Sequence, residues 1–208
     1  MNQVWEARKG HWERIYHEKD ESEVSWHQDR PQMSLALIGQ AGTAPDEPII
    51  DIGGGAAHLV DALLDRGHSD VTVLDLAGSA LAQARERLGE RAASVAWIEA
   101  DVTAWEPPRC YRLWHDRAVF HFLTEAGERT AYLERLRSTV PAGGHVIIAS
   151  FGPDGPDCCS GLPVVRYTPE GLEEALGTGF ELCATRYEAH RTPAGKPQQF
   201  VGALFRRT

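Results

Sequence analysis

The apolar pattern of the chain changes character once. Up to about residue 48 it follows helical spacing, with Val4, Trp5, Trp12, Ile15 and Tyr16 on one side of a first helix. Pro31 can open a second helix, PQMSLALIGQAG, which stops at Gly39 to Gly42, and TAPDEP is a loop. From Ile49 short apolar runs alternate with amphipathic ones. PIIDI, DVTVLDL, SVAWIEA, CYRLWHD and HVIIASF read as strands, and AAHLVDALLDRG, AGSALAQARERLGE and EAGERTAYLERLRSTV read as helices between them. Beyond Phe151, GPDGPDCCSGLP is a loop and TPEGLEEALG a short helix with Thr168 as candidate cap. FELCATRYEAH and QQFVGALFRR then read as two strands joined by the turn-rich RTPAGKP.

Strands separated by helices of this length call for right-handed crossovers, and so for an α/β fold around a parallel sheet. Two final strands with no helix between them add an antiparallel edge. No internal repeat and no second structural domain is expected. Residues 1–45 are read as an N-terminal helical lid and 46–208 as the core.

Composition narrows the function classes. At 208 residues, 42% hydrophobic and 25% charged, the chain can bury a real core. Its formal charge is −9, from 30 acids against 21 bases, and its only lysines are Lys9, Lys19 and Lys196. Such a surface suits neither DNA nor RNA as a partner. No run approaches signal-peptide or membrane-spanning length, so a soluble, cytoplasmic protein without a membrane partner is expected. Four cysteines without a C-x-x-C argue against a disulfide framework and against a metal site.

The candidate chemistry begins at IIDIGGGAAHL, residues 49–59, a strand running into a glycine turn and a helix. A triphosphate loop needs a Lys after its glycines, and none follows. A dinucleotide turn counted from Gly53 and Gly55 needs a third glycine where His58 stands. The pattern that fits is D-x-G-x-G-x-A, from Asp51, Gly53, Gly55 and Ala57, in which Gly54 is expected to matter least. A carboxylate at Asp51 would repel a pyrophosphate but attract the ammonium or sulfonium of a methionine-derived cofactor. Asp75, with Leu76 beside it, ends the second strand, where a carboxylate can accept both hydroxyls of a ribose. Asp101 follows the third strand, placed to take an adenine amine, with Val102 offering the neighbouring N–H.

With these residues the chain resembles the Rossmann-like, class I S-adenosylmethionine-dependent methyltransferases, through IIDIGGGA, VTVLDL, IEADVT, LWHDRAVFHFL and LRSTVPAGGHVIIASF. The resemblance runs from about Ile49 onward. It implies a single-domain, seven-stranded, mostly parallel sheet with one antiparallel strand and helices on both faces. It also implies S-adenosyl-L-methionine as cofactor, S-adenosyl-L-homocysteine as product, and methyl transfer to a nucleophile. Ala57 departs from the family's usual glycine. HWERIYHEKDESEVSWHQ is similar to the opening of small methyltransferases related to the eukaryotic elongation-factor lysine methyltransferases. That similarity makes the segment a lid whose Trp12 and Trp26 cover the cofactor, with hydrophobic anchoring as the plainer role for both. For Tyr16 packing is expected.

Near the exit of the fourth strand stand the candidate catalytic residues Asp116, His121 and Arg117. Asp116 is expected at the active-site mouth, contacting the methionine part of the cofactor or orienting the nucleophile. His121 is a candidate general base or a buried histidine between Phe120 and Phe122. Arg117 can bind a substrate carboxylate or pair with a nearby acid. The adjacent Cys158 and Cys159 lie in a loop that overhangs the same edge, where exposure is expected; they suit a thiophilic substrate or are incidental. The acceptor is expected to be a small molecule, because no added module is present to hold a macromolecule. Protein lysine methylation, or a cofactor-binding protein without catalysis, are the alternatives.

Overall fold

The structure, a computed structural model, describes residues 3–20 and 22–208; Met1, Asn2 and Glu21 of the expected lid lie outside the described residues, as do the side chains of Gln3 and Val4. Two helices, α1 (Gln3–Glu18) and α2 (Gln32–Ala41), precede the alternating part. There follow β1 (Ile49–Ile52), α3 (Leu59–Asp65), β2 (Val71–Asp75), α4 (Gly78–Leu88), β3 (Val95–Glu99), β4 (Leu113–Arg117), α5 (Ala126–Thr139) and β5 (His145–Phe151). A two-residue hairpin, β6 (Cys158–Cys159) and β7 (Leu162–Pro163), then leads to α6 (Pro169–Leu176), β8 (Phe180–Arg191) and β9 (Pro197–Arg207).

Seven of these strands form one sheet in the order β3-β2-β1-β4-β5-β9-β8. Every pairing is parallel except those of β9, which runs antiparallel to both β5 and β8. The expected fold class is the one observed. The period-2 alternation of the strands divides the core into two layers. Leu113 and Ile147 pack with Leu37 of α2 and Leu63 of α3 on one face. Trp114 and Ile148 pack with Tyr132 and Leu136 of α5 and Leu172 of α6 on the other.

α2 supplies Met33, Leu35, Leu37 and Ile38 to that first layer, so this part of residues 1–45 packs on the sheet. α1 lies instead across the start of α4. The first residues of α4 have no side-chain cap of their own, and Glu13 serves in its place: its carboxylate accepts the N–H groups of Gly78 at 2.8 Å and Ser79 at 3.3 Å. Gln83 of α4 returns the tie by donating to the Tyr16 carbonyl at 2.8 Å.

Three local expectations shift. α3 begins at Leu59, because the glycine turn consumes Ala56 and Ala57. The loop after β5 holds the β6–β7 hairpin, turned by Ser160 (φ 52°) and Gly161 (φ 76°). Cys110 precedes β4 instead of lying in it, and Cys183 sits at a register shift in β8 between Leu182 and Ala184. Thr168 caps α6 as expected, accepting the Gly171 N–H at 3.0 Å. Among the described residues no helix is long and apolar enough to cross a membrane.

Candidate active site at the carboxyl edge of the sheet

The carboxyl ends of β1, β2 and β4 and the segment after β3 open into one cleft, bounded across from the sheet by Trp12, Tyr16 and Trp26. A smaller, more polar recess adjoins it, and Tyr16, Trp26, Gly53 and Arg117 line both. Trp12 sets its ring edge-on to Trp26 and Phe122, at 5.7 and 5.2 Å between centroids, so the aromatics form one connected wall.

The turn after β1 leaves no room for side chains. Gly53 (φ +66°) and Gly55 (φ +43°) take left-handed conformations. A Cβ at Gly53 would overlap the Val119 side chain, and one at Gly55 would stand 2.9 Å from Asp75 Oδ2 and 3.0 Å from the Tyr16 hydroxyl. Gly54, expected to matter least, is as constrained as its neighbours: its Cβ would fall 2.5 Å from Asp51 Oδ2 and 2.8 Å from Val73 Cγ1. Ala57 is exposed and lines the recess.

Asp75 is buried at the end of β2 and lines the cleft. Its Oδ1 accepts the Ala77 N–H at 2.8 Å. Burial, reinforced by the charge of Asp51, pushes its carboxyl up to about 7. Leu76, Asp101 and Val102 line the same cleft, and one oxygen of Asp101 is already held by the Thr103 N–H (2.8 Å) and hydroxyl (2.7 Å). Asp51 faces the recess, where His115 Nδ1 lies 2.7 Å from its Oδ1; His115 Nε2 in turn lies 2.9 Å from the Ser34 hydroxyl. This buried Ser34–His115–Asp51 chain, invisible in the sequence because its members are 17 and 64 residues apart, orients the carboxylate.

β4 alternates, so His115 and Arg117 face the α2 side and Asp116 the opposite one. Asp116 therefore does not reach the active-site mouth. It is fully buried; Oδ2 accepts the Tyr132 hydroxyl at 2.6 Å, and Oδ1 accepts the Val119 N–H at 2.9 Å. Burial raises its carboxyl to about 6. Its work is to hold the turn through Ala118 (φ 70°) and Val119, both of which line the cleft. His121 does not reach the cleft either. It is fully buried beside Phe122 and Phe151, and burial, aided by the Arg117 charge, drops its pKa to about 3, which makes it a poor base. Arg117 is the one of the three on the cleft, its guanidinium 4.4 Å over the Phe200 ring.

Tyr16 packs as expected, buried with Ala56, Ala77 and Ala80, and its hydroxyl stands over the glycine turn while its ring lines both cavities. The two cysteines of the hairpin differ: Cys158 is exposed, whereas Cys159 is buried, lines the cleft, and has its thiol pushed up by burial. Only the alternation of a two-residue strand separates them, and no sequence signal marks that strand.

Residues 49–144 match the family model described as a methyltransferase domain. A trans-aconitate 2-methyltransferase of Sinorhizobium medicae is 28% identical over 172 residues, covering 82% of this chain and 62% of that relative. The chain thus spans less than two thirds of that relative's length. The eEF1A lysine and N-terminal methyltransferase of Mus musculus is 24% identical over 98 residues, 47% of this chain and 14% of that one. Among solved structures, the Burkholderia thailandensis 1,6-didemethyltoxoflavin-N1-methyltransferase with bound 1,6-didemethyltoxoflavin and S-adenosylhomocysteine superimposes with a TM-score of 0.72. It is 20% identical, over 100% of this chain and 91% of that one. Over residues 49–144 the chain is thus similar to the methyltransferase-domain family, and its fold is the Rossmann-like one of the solved methyltransferase structures.

Proposed function

We propose that the chain is an S-adenosylmethionine-dependent methyltransferase acting on a small-molecule acceptor. The observation that carries this reading is the convergence of the crowded glycine turn, Asp51, Asp75 and Asp101 on one cleft and its recess beneath an aromatic wall. The residues fit the cofactor. The glycines keep the cleft floor open, and Asp75, a buried acid, presents Oδ2 beside Gly55 where ribose hydroxyls can satisfy it. Asp101 and Val102 suit the adenine, and Asp51 in the polar recess, with Ala57 beside it, suits the methionine ammonium. Trp12 and Trp26 act as a lid, together with Tyr16, that excludes water from the transfer.

When bound, S-adenosylmethionine supplies an electrophilic methyl: the acceptor's lone pair takes it as the C–S bond breaks, and the bonding pair stays on sulfur. The chain needs no strong base for this, and neither Asp116 nor His121 is one. Proximity and a dry cleft supply the rate. Asp116 acts by positioning the turn of Ala118 and Val119 against Gly53.

The trans-aconitate and toxoflavin methyltransferases named above act on small molecules, which supports this acceptor class over protein lysine, for which the likeness covers less than half of the chain. A cytoplasmic setting belongs to the same proposal, supported by four free cysteines, three of them exposed. Calorimetry with S-adenosylhomocysteine tests it: binding is expected, and its absence would sink the reading. Asp75→Ala should weaken that binding by about 1–3 kcal/mol, the cost of unmet polar partners.

A further inference from the structure

We propose that Arg117 is the receptor for a carboxylate, or a like oxyanion, on the methyl acceptor, so that the substrate class is an anionic molecule with an apolar or planar body. This rests on the methyltransferase reading and narrows its acceptor. Of the two arginines that line the cleft among the described residues, Arg8 is held closely by Glu128, whereas Arg117 has only a looser ion pair with Glu188. Its side chain is only 12% exposed. It makes one long hydrogen bond, Nη1 to the Trp26 carbonyl at 3.3 Å, while Nε and Nη2 are buried without a hydrogen-bond acceptor. Glu188 Oε1 stands 3.6 Å from Nη2, beyond hydrogen-bond reach, and is itself held by Gln28 at 2.8 Å.

A guanidinium removed from water with most donors unmet is a costly arrangement unless something completes it. The groups around it in the cleft do not: Phe151, Phe200 and Phe122 are apolar, and Cys159 is held as a thiol by burial. A planar fork whose Nε and Nη2 lack acceptors, centred 4.4 Å over the Phe200 ring, matches an acceptor whose acid group takes the fork and whose body lies on the aromatic lining. Glu188 is then the group that balances Arg117 until the acceptor's anion arrives. The cofactor's own carboxylate is the other possible source of the same chemistry. Arg117 lines the recess of Asp51 as well as the cleft, and the acceptor is favoured because the ring under its guanidinium, Phe200, and the neighbouring Phe151 and Cys159 line the cleft alone.

The test is calorimetry on the full chain saturated with S-adenosylhomocysteine, titrated with matched pairs: benzoate and benzamide, trans-cinnamate and cinnamamide. At least one acid should bind about tenfold or more tighter than its amide, as expected for a charge-assisted bidentate contact. Arg117→Met should abolish that preference, Arg117→Lys restore it only in part, and Glu188→Gln, which removes the competing charge, should tighten acid binding. S-adenosylhomocysteine affinity should stay within about twofold in Arg117→Met. The proposal is overturned if no acid outbinds its amide on wild-type protein that binds S-adenosylhomocysteine, and the methyltransferase reading then stands alone. It is also overturned if Arg117→Met loses S-adenosylhomocysteine but keeps 5′-methylthioadenosine, which lacks the carboxylate, for Arg117 would then hold the cofactor. Failure of wild type to bind S-adenosylhomocysteine overturns both.

Discussion

Asp51, Gly54 and His115 act as one unit. The carboxylate is clamped on one side by the imidazole at 2.7 Å and packs on the other against a backbone that tolerates no Cβ. Gly54 has no positive φ, so its requirement comes wholly from this close approach. Gly54→Ala should cost about 1–3 kcal/mol in stability, the usual penalty for overpacking, and weaken S-adenosylhomocysteine binding by displacing Asp51. Gly127→Ala, in α5 with open space around it, is the control and should be neutral or slightly stabilising by urea denaturation. Equal effects of the two changes would show that Gly54 has no such contact. The acids that end β2 and follow β3 are legible in the sequence because strand ends in an open α/β sheet face one edge. The split between Asp116 and Arg117 is not, because which face of β4 turns toward the cleft depends on what packs there: Tyr132 of α5 on one side, Ser34 of α2 on the other.

At the scale of elements, the strand–helix alternation from Ile49 is legible because each element is long enough to show its period. The two-residue strands β6 and β7 are too short to show one, and so Cys159's inward turn is hidden. The role of α1 is likewise hidden, because it depends on a capping carboxylate contributed from 65 residues away. Glu13→Ala should remove the cap of α4, lowering stability by about 1 kcal/mol with an unchanged urea slope. If α1 is the lid, the same change should also speed S-adenosylhomocysteine release in stopped-flow measurements. A stability loss without a change in release rate would assign α1 to scaffolding alone.

For the whole molecule, Asp75 links folding to pH and, as the proposed ribose partner, ties both to the ligand. Its folded pKa, about 7, lies above the ordinary carboxyl value, so its protonated form stabilises the free protein below about pH 4, and that contribution is lost as pH rises through 7. Hydroxyl donors of a ribose favour the ionised form, so binding should draw the pKa down and tighten as pH climbs through 7. Calorimetry with S-adenosylhomocysteine at pH 6 and 8 should show the stronger binding at pH 8, and Asp75→Asn should flatten the difference. A flat profile in the wild type would remove Asp75 from the ribose.

The position of β9 has a consequence in time. It follows every other strand in the chain, yet it lies inside the sheet, between β5 and β8. β8 joins the sheet only through β9, so Glu188 and Phe200 reach Arg117 as the β8–β9 hairpin docks on β5. β1, β2 and β3 need no such wait. Pulse-labelled amide exchange should find β1 and β2 protected ahead of β8; simultaneous protection would show that the hairpin docks together with the parallel core. The wall that carries Glu188 and Phe200 is thus a hairpin added to the parallel core, and its geometry can vary without disturbing the glycine turn.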